Sequence, residues 1–225
     1  MGFCNHLKIL GVFSFFLLLS TFVAVEASAR GKPGKFDYYS LAISWSPTFC
    51  LSKAGKKSKQ QCLGARRFAF VVHGLWPQYN KGWPQHCRKR PPYLSDALIR
   101  STYDITPSKK LIIHEWKKHG TCTGLSAEDY FSLARNLFQK IKIPARYLSP
   151  TRPLVLTPQQ LIDDFIKTNS RLSSNMISVQ CGNSTARARL REIRICFTRQ
   201  GNLRNCGPNE ARRCRATQLT LPPVR

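Results

Sequence analysis

Histidine is scarce in this chain, five in 225 residues, and three of the five fall in two short segments dense in polar and aromatic side chains. The first, Phe70–Gln78 (FVVHGLWPQ), carries His73; the second, Ile113–Cys122 (IHEWKKHGTC), carries His114 and His119. His86 stands alone beside Cys87 and reads as a surface residue, and His6 belongs to an N-terminal leader. Taken as a helix at about 100° per residue, the second segment places His114, Glu115, Lys118 and His119 within an arc of roughly 140°, with Ile112, Ile113 and Trp116 on the opposite arc. One face is then core, and the other gathers two imidazoles, a carboxylate and an ammonium. Lys118 sits one turn beyond His114, and His119 one turn beyond Glu115. The carboxylate is expected to orient the His119 ring and raise its pKa, while Lys118 lowers that of His114.

Spacing excludes the obvious metal reading. A zinc-binding H-E-x-x-H helix needs its histidines four apart so that both face the ion. Here they are five apart, which turns His119 about 140° from His114. No carboxylate cluster suggests a divalent-metal nuclease, and no P-loop is present. No metal or other cofactor is expected. The chain also carries 36 Lys+Arg against 11 Asp+Glu, a net charge of +25, which makes a polyanion the first partner to consider. Several imidazoles and a lysine on such a protein suit metal-free attack on a phosphodiester. One imidazole removes a proton from the nucleophile, another protonates the leaving oxygen, and the cations stabilise the developing charge. Without a metal to activate water, the convenient nucleophile is the substrate's own 2′-hydroxyl, which RNA has and DNA lacks.

The elements that must carry these residues can be read from pattern. Tyr39–Ser46 and Arg67–His73 are rich in β-branched and aromatic residues and read as strands. Gly74 and Pro77 are expected to end the second and turn the chain. Leu94–Tyr103 reads as a short helix, and Pro107-Ser108 opens another over Lys109–His119 that Gly120 terminates. Ser126, with Asp129 three residues on, caps a helix reaching about Ile141. Thr157-Pro158, with Gln160, opens one ending near Asn169. Met176–Cys181 and Leu190–Thr198 read as strands, and the tail beyond Gly207, with Arg212, Arg213, Arg215 and Arg225, as loop. With no βαβ rhythm, the expected fold is a single α+β domain: a mainly antiparallel sheet with packed helices.

Ile9–Val25 is almost continuously apolar, and Ala27-Ser28-Ala29 supplies the small residues a signal peptidase reads. Residues 1–29 are therefore expected to be a cleaved signal peptide, with an uncleaved anchor as the alternative, and residues 30–225 the mature domain. The mature protein is expected to be secreted or periplasmic, monomeric and without stable membrane association. Removing Cys4 leaves cysteines 50, 62, 87, 122, 181, 196, 206 and 214, an even set that reads as four disulfides in an oxidising compartment. Spacing alone does not select a pairing among the hundred or so possible. The absence of any C-x-x-C pair weighs against a zinc site.

H-G-L-W-P followed about forty residues later by H-E-W-x-K-H-G-T-C resembles the two active-site segments of the ribonuclease T2 family, in the same order. The resemblance covers most of the mature chain, from Tyr38 to about Cys214, and details such as SWSPTFC and HGTCTGLSAEDYF look closest to its bacterial branch. It implies that His119 and His73 are the base and acid of the transphosphorylation, that His114 binds phosphate, and that Glu115 and Lys118 support the transition state. It also implies base stacking by Trp76, although a structural tryptophan holding the turn after His73 is an equal reading. Gln78 and Leu111 stand where some relatives have an acidic base-recognition residue and an aromatic, which suggests weak base selectivity. The disulfides implied are Cys50–Cys62, Cys87–Cys122, Cys181–Cys214 and Cys196–Cys206. Asn183-Ser184-Thr185 is a glycosylation sequon, expected to be unused in a bacterial protein.

A second reading from a different class is a cationic protein that coats nucleic acid, acidic glycans or anionic membranes. Arg187, Arg189, Arg191 and Arg194, crowded in one stretch, would suit it. Binding alone does not require clustered histidines, which favours the enzyme.

Overall fold

The computed structural model describes residues 1–2, 31–210 and 214–224; the predicted leader beyond Gly2, its cleavage point, and Arg212, Arg213 and Arg225 lie outside the described residues. No helix among the described residues is long and apolar enough to cross a membrane.

The expected α+β architecture is present. In chain order the elements are β1 (Tyr38–Trp45), α1 (Ser46–Cys50), β2 (Phe70–Gln78), α2 (Asp96–Ser101), α3 (Lys109–Lys118), α4 (Ala127–Gln139), β3 (Leu154–Leu156), α5 (Pro158–Thr168), β4 (Ile177–Cys181), β5 (Arg187–Thr198) and β6 (Gln218–Leu221). The sheet runs β2-β1-β5-β6-β3, with β4 paired to β5. All pairings are antiparallel except β5 with β6. Tyr39, Leu41, Ile43 and Trp45 alternate onto the core face of β1, opposite Phe197, Ile195 and Ile193 of β5. Against that face pack Tyr130, Phe131, Ala134 and Leu137 of α4 and Leu161, Ile162 and Phe165 of α5, which join the same core cluster. Phe70 meets Trp45 and Phe165 edge-on, with ring centroids 4.9 and 5.9 Å apart.

The helix starts follow their capping chemistry. Ser95, Ser108 and Ser126 accept from the backbone N–H three residues on, and Thr157 with Gln160 forms a full capping box. The second helix is shorter than the predicted Leu94–Tyr103 because Ser95 caps it. At the end of α3, Gly120 does not stop the chain: His119 is the C-cap, and Gly120–Cys122 continues as one turn of 3-10 helix.

Two strand expectations are corrected. Gly74 and Pro77 do not end β2, which runs through the whole of FVVHGLWPQ. It is the edge strand, where a sheet tolerates proline, and its irregularity is taken up by a bulge. Val72 faces Ile43 while Gly74 faces Ala42, so His73 is the extra residue. The tail is also not all loop: β6 adds in parallel to β5, and β3, which the sequence pattern did not reveal, adds to β6.

The four disulfides are Cys50–Cys62, Cys87–Cys122, Cys181–Cys214 and Cys196–Cys206.

Candidate active site

The sheet face opposite the core holds the site. Beyond Tyr38, that face of β1 presents small side chains, Ser40, Ala42 and Ser44. Flanking them are Trp76 and Gly74 of β2 on one side and Cys196, Arg194 and Glu192 of β5 on the other. The bulge turns His73 onto this face, and the small central residues leave room for it to reach β5. There His73 Nδ1 lies 2.8 Å from Glu192 Oε2. Glu192 is buried at 7 % exposure, and its other oxygen takes Arg194 Nη2 at 2.8 Å and Nε at 2.9 Å.

Burial alone would depress the pKa of His73. The Glu192 hydrogen bond and charge, with the charge of Glu115, outweigh it and raise the value above 6.5. Burial likewise pushes Glu192 up, but His73 and Arg194 hold its carboxyl down at about 2. Each partner thus favours the charged form of the other: the imidazole binds its proton more tightly and the carboxyl releases its own more readily.

Glu115 approaches the same imidazole from α3, with Oε1 3.9 Å from His73 Nε2. Its Oε2 accepts the Trp76 indole N–H at 2.7 Å. A side chain at position 74 would collide with this contact: a Cβ there would sit 2.0 Å from Glu115 Oε2 and 2.4 Å from Trp76 Nε1. Gly74 thus lets the helix carboxylate close on the strand. Only 3 % exposed, Glu115 is pushed up to about 7 by burial, against the lowering effects of His73, the Trp76 bond and Lys118.

The expected Glu115–His119 partnership is corrected. The carboxylate is committed to Trp76 and His73, and His119 Nδ1 is buried with no hydrogen-bond partner. His119 leaves the helical course at the C-cap (φ −116°, ψ −47°), so simple helical spacing does not describe where its ring goes. Burial, followed by the positive charges of Lys118, His114 and His73, drives its pKa down to about 2 rather than up.

The two imidazoles meet at one indole. Trp76 lies 5.1 Å from the His73 ring, nearly edge-on, and 5.4 Å from the His119 ring, tilted by 32°. The Arg194 guanidinium stands 4.8 Å from the same indole. His114 is exposed on α3, its pKa lowered by partial burial and then by Lys118, as the spacing suggested. Cys87–Cys122 ties the chain after β2 to the turn that follows α3, and the His86 N–H donates to the Lys118 carbonyl at 2.8 Å. His86 itself is exposed. Among the described residues, the group of His, Cys, Asp and Glu side chains close enough to share an ion is Cys196, Cys206 and Glu210; its cysteines are bonded to each other and it excludes the histidines.

Residues 36–206 match the Ribonuclease T2 family. The chain belongs to that family. It is 42 % identical over 130 residues to a ribonuclease of Aeromonas hydrophila, covering 58 % of each chain. It is 34 % identical over 182 residues to a probable ribonuclease of Haemophilus influenzae, covering 76 % of this chain and 61 % of that one. These matches thus span about 60 % of the relatives' own length. Among solved structures, an RNase-related protein from Calystegia sepium superposes with a TM-score of 0.65 at 24 % identity, over 84 % of this chain and 98 % of the other. Trichomaglin, described as an S-like ribonuclease, does so with 0.66 at 19 %, over 85 % and 100 %. The fold is shared across that range.

In this ribonuclease T2 chain, Glu192 and Asn209 lay outside the sequence expectations, and Arg194 was read only as part of a cationic stretch. Glu192 and Arg194 sit beside His73, and Asn209 donates to Gln78 Oε1 at 3.0 Å. A lone carboxylate inside an arginine-rich strand was the available signal for Glu192. Gln78 is buried at 4 % exposure and Leu111 is half-buried in the first turn of α3.

Proposed function

We propose that the chain is a metal-independent endoribonuclease that cleaves single-stranded RNA by transphosphorylation, leaving a 2′,3′-cyclic phosphate and a 5′-hydroxyl. The observation that carries this reading is the opposite electrostatic treatment of two imidazoles placed against one indole. His73, whose proton affinity Glu192 raises, serves as the acid toward the leaving 5′-oxygen. His119 is kept neutral and serves as the base toward the 2′-hydroxyl. A phosphate bound between them offsets the repulsion from Lys118, His114 and His73 and so raises the basicity of His119 where it is needed. His114 and Lys118 supply positive charge to the phosphate oxygens, and Glu115 holds Trp76 in register beside both rings.

Weak base selectivity is part of the reading. The Gln78 carbonyl oxygen is occupied by Asn209, and Leu111 offers a base an apolar contact without hydrogen-bonding groups. A similar fold, RNase NT, is described in complex with 5′-AMP, which supports a nucleotide-binding cleft here. The family, the two bacterial relatives and four disulfides support export to an oxidising compartment, secreted or periplasmic, after removal of residues 1–29.

The test is incubation of disulfide-bonded protein with RNA and with DNA in EDTA, followed by end-group analysis. Cyclic-phosphate ends from RNA alone are expected. Cleavage abolished by the chelator, or equal cleavage of DNA, overturns the mechanism.

A further inference from the structure

β5 carries a second bulge. Gln180 of β4 pairs with Glu192 while Cys181 pairs with Leu190, so Arg191 is the extra residue. The alternation of β5 changes phase there. On the C-terminal side Ile193, Ile195 and Phe197 are buried in the core, with Glu192 and Arg194 on the site face. On the N-terminal side Ala188 and Leu190 are buried, and Arg187, Arg189 and Arg191 are exposed. A strict two-residue alternation would put those three arginines on the core side with Ile193; the bulge brings them instead to the face that holds Glu192 and Arg194.

The result is a row of guanidiniums leading away from the His73–Glu192 contact. Alternate positions on a strand are spaced by about 6.6 Å, of the order of the step between successive phosphates in an extended single strand. None of the three is paired with a carboxylate among the described residues; the Arg187 guanidinium donates only to the uncharged Gln218 Oε1, at 3.1 and 3.3 Å. The neighbouring β6 pairs with Arg187 and Arg189 through Gln218 and Thr220 and adds no opposing charge. Three aligned cations without internal partners are matched to an external polyanion.

We infer that Arg187, Arg189 and Arg191 form a subsite for the phosphates on the 3′ side of the cleavage point. The direction rests on the reading of His119 as base and His73 as acid. In-line displacement places the attacking 2′-oxygen and the departing 5′-oxygen on opposite sides of phosphorus. The 2′-oxygen then lies toward α3 and the 5′-oxygen toward β2. The strand that continues from the 5′-oxygen passes over the small residues of β1 toward β5, where the arginines stand. Nucleotides on the 5′ side leave from the α3 side and do not meet them.

Chimeric oligonucleotides with a single ribose in an otherwise deoxy strand restrict cleavage to one bond and test this directly. With a dinucleotide as reference, kcat/KM is measured as deoxynucleotides are added on the 3′ side or on the 5′ side. For the wild-type protein, 3′ extension by three to four nucleotides is expected to raise kcat/KM about tenfold at low salt. Replacing all three arginines (R187Q/R189Q/R191Q) is expected to abolish that gain, reduce the salt slope of binding by about 2, and leave dinucleotide cleavage unchanged. Loss on the dinucleotide as well, or equal loss on 5′-extended strands, overturns the subsite. So does a variant that cleaves every RNA normally but has lost binding to heparin or to phosphatidylglycerol vesicles, since the row then serves another polyanion. Failure of the wild-type protein to cleave the dinucleotide overturns the proposed function itself, a result distinct from all of these.

Discussion

His73 Nδ1 and Glu192 Oε2 lie 2.8 Å apart although 119 residues separate them in the chain. They sit on β2 and β5, with β1 between, and the contact exists because a bulge turns one of them and small side chains on β1 leave the space. In the proposed mechanism this relationship makes His73 the acid. The Glu192 carboxyl, held down at about 2, raises the pKa of its imidazole partner.

Replacing that carboxylate removes the charge but not the burial. For Glu192→Gln, the pKa of His73 is expected to fall to or below its ordinary 6.5, because burial then acts without opposition from Glu192. The acid must be protonated, so kcat/KM declines as pH rises through the pKa of His73, and this alkaline limb should move to lower pH. A pH–rate profile from 4 to 9 measures it. An unshifted alkaline limb contradicts the assignment.

Glu115 illustrates the converse. Its carboxyl is raised to about 7 in the folded protein, so the folded state resists the ionised form, and this costs stability as pH climbs from 4.5 through 7. Glu115→Gln keeps an acceptor for the Trp76 N–H and carries no ionisation penalty. Thermal melts at pH 8 should show a higher Tm than wild type, by several degrees, while kcat falls about 10–100-fold. A lower Tm at pH 8 would indicate that the carboxylate is held by favourable contacts after all.

Gly74→Ala introduces a methyl group into the 2.0 Å gap beside Glu115. Either the helix carboxylate or the Trp76 indole must move. The expected loss is about 1–3 kcal/mol of stability and at least tenfold in kcat, since both rings rest on that indole. Denaturant unfolding and turnover on a single-ribose substrate check the two parts separately. Normal values for both would show that the contact is easily rearranged.

His73→Phe and His119→Phe are each expected to reduce turnover by roughly 10²–10⁴-fold, the usual weight of a general acid or base. RNA affinity, set mainly by the +25 net charge, should remain close to wild type and keep its salt dependence. Filter binding at several salt concentrations provides the comparison. Loss of binding in step with activity would point to a misfolded protein rather than a missing proton donor.

Much of this molecule was legible from its residues. The capping residues Ser108, Ser126 and Thr157 mark helix starts because a side-chain oxygen meets an unpaired backbone N–H only a few residues away. The apolar, aromatic and β-branched run from Tyr39 to Ser46 marks a strand for an equally local reason. What local pattern missed depends on partners far away. Pro77 within a strand is acceptable because β2 is an edge, and β3 and β6 are strands because of what they pair with.

The sequence by itself determined the inventory: two histidine-bearing segments, an excess of cations, and an even set of cysteines from Cys50 to Cys214. Only the tertiary structure decided the electrostatics of that inventory. Helical spacing gave Glu115 to His119, but burial and the close approach of β2 gave it to Trp76 and His73, and a strand remote in sequence supplied the charge that raises the proton affinity of His73. Proton affinity responds to distance and solvent exposure in three dimensions, and neither is written in the order of the residues.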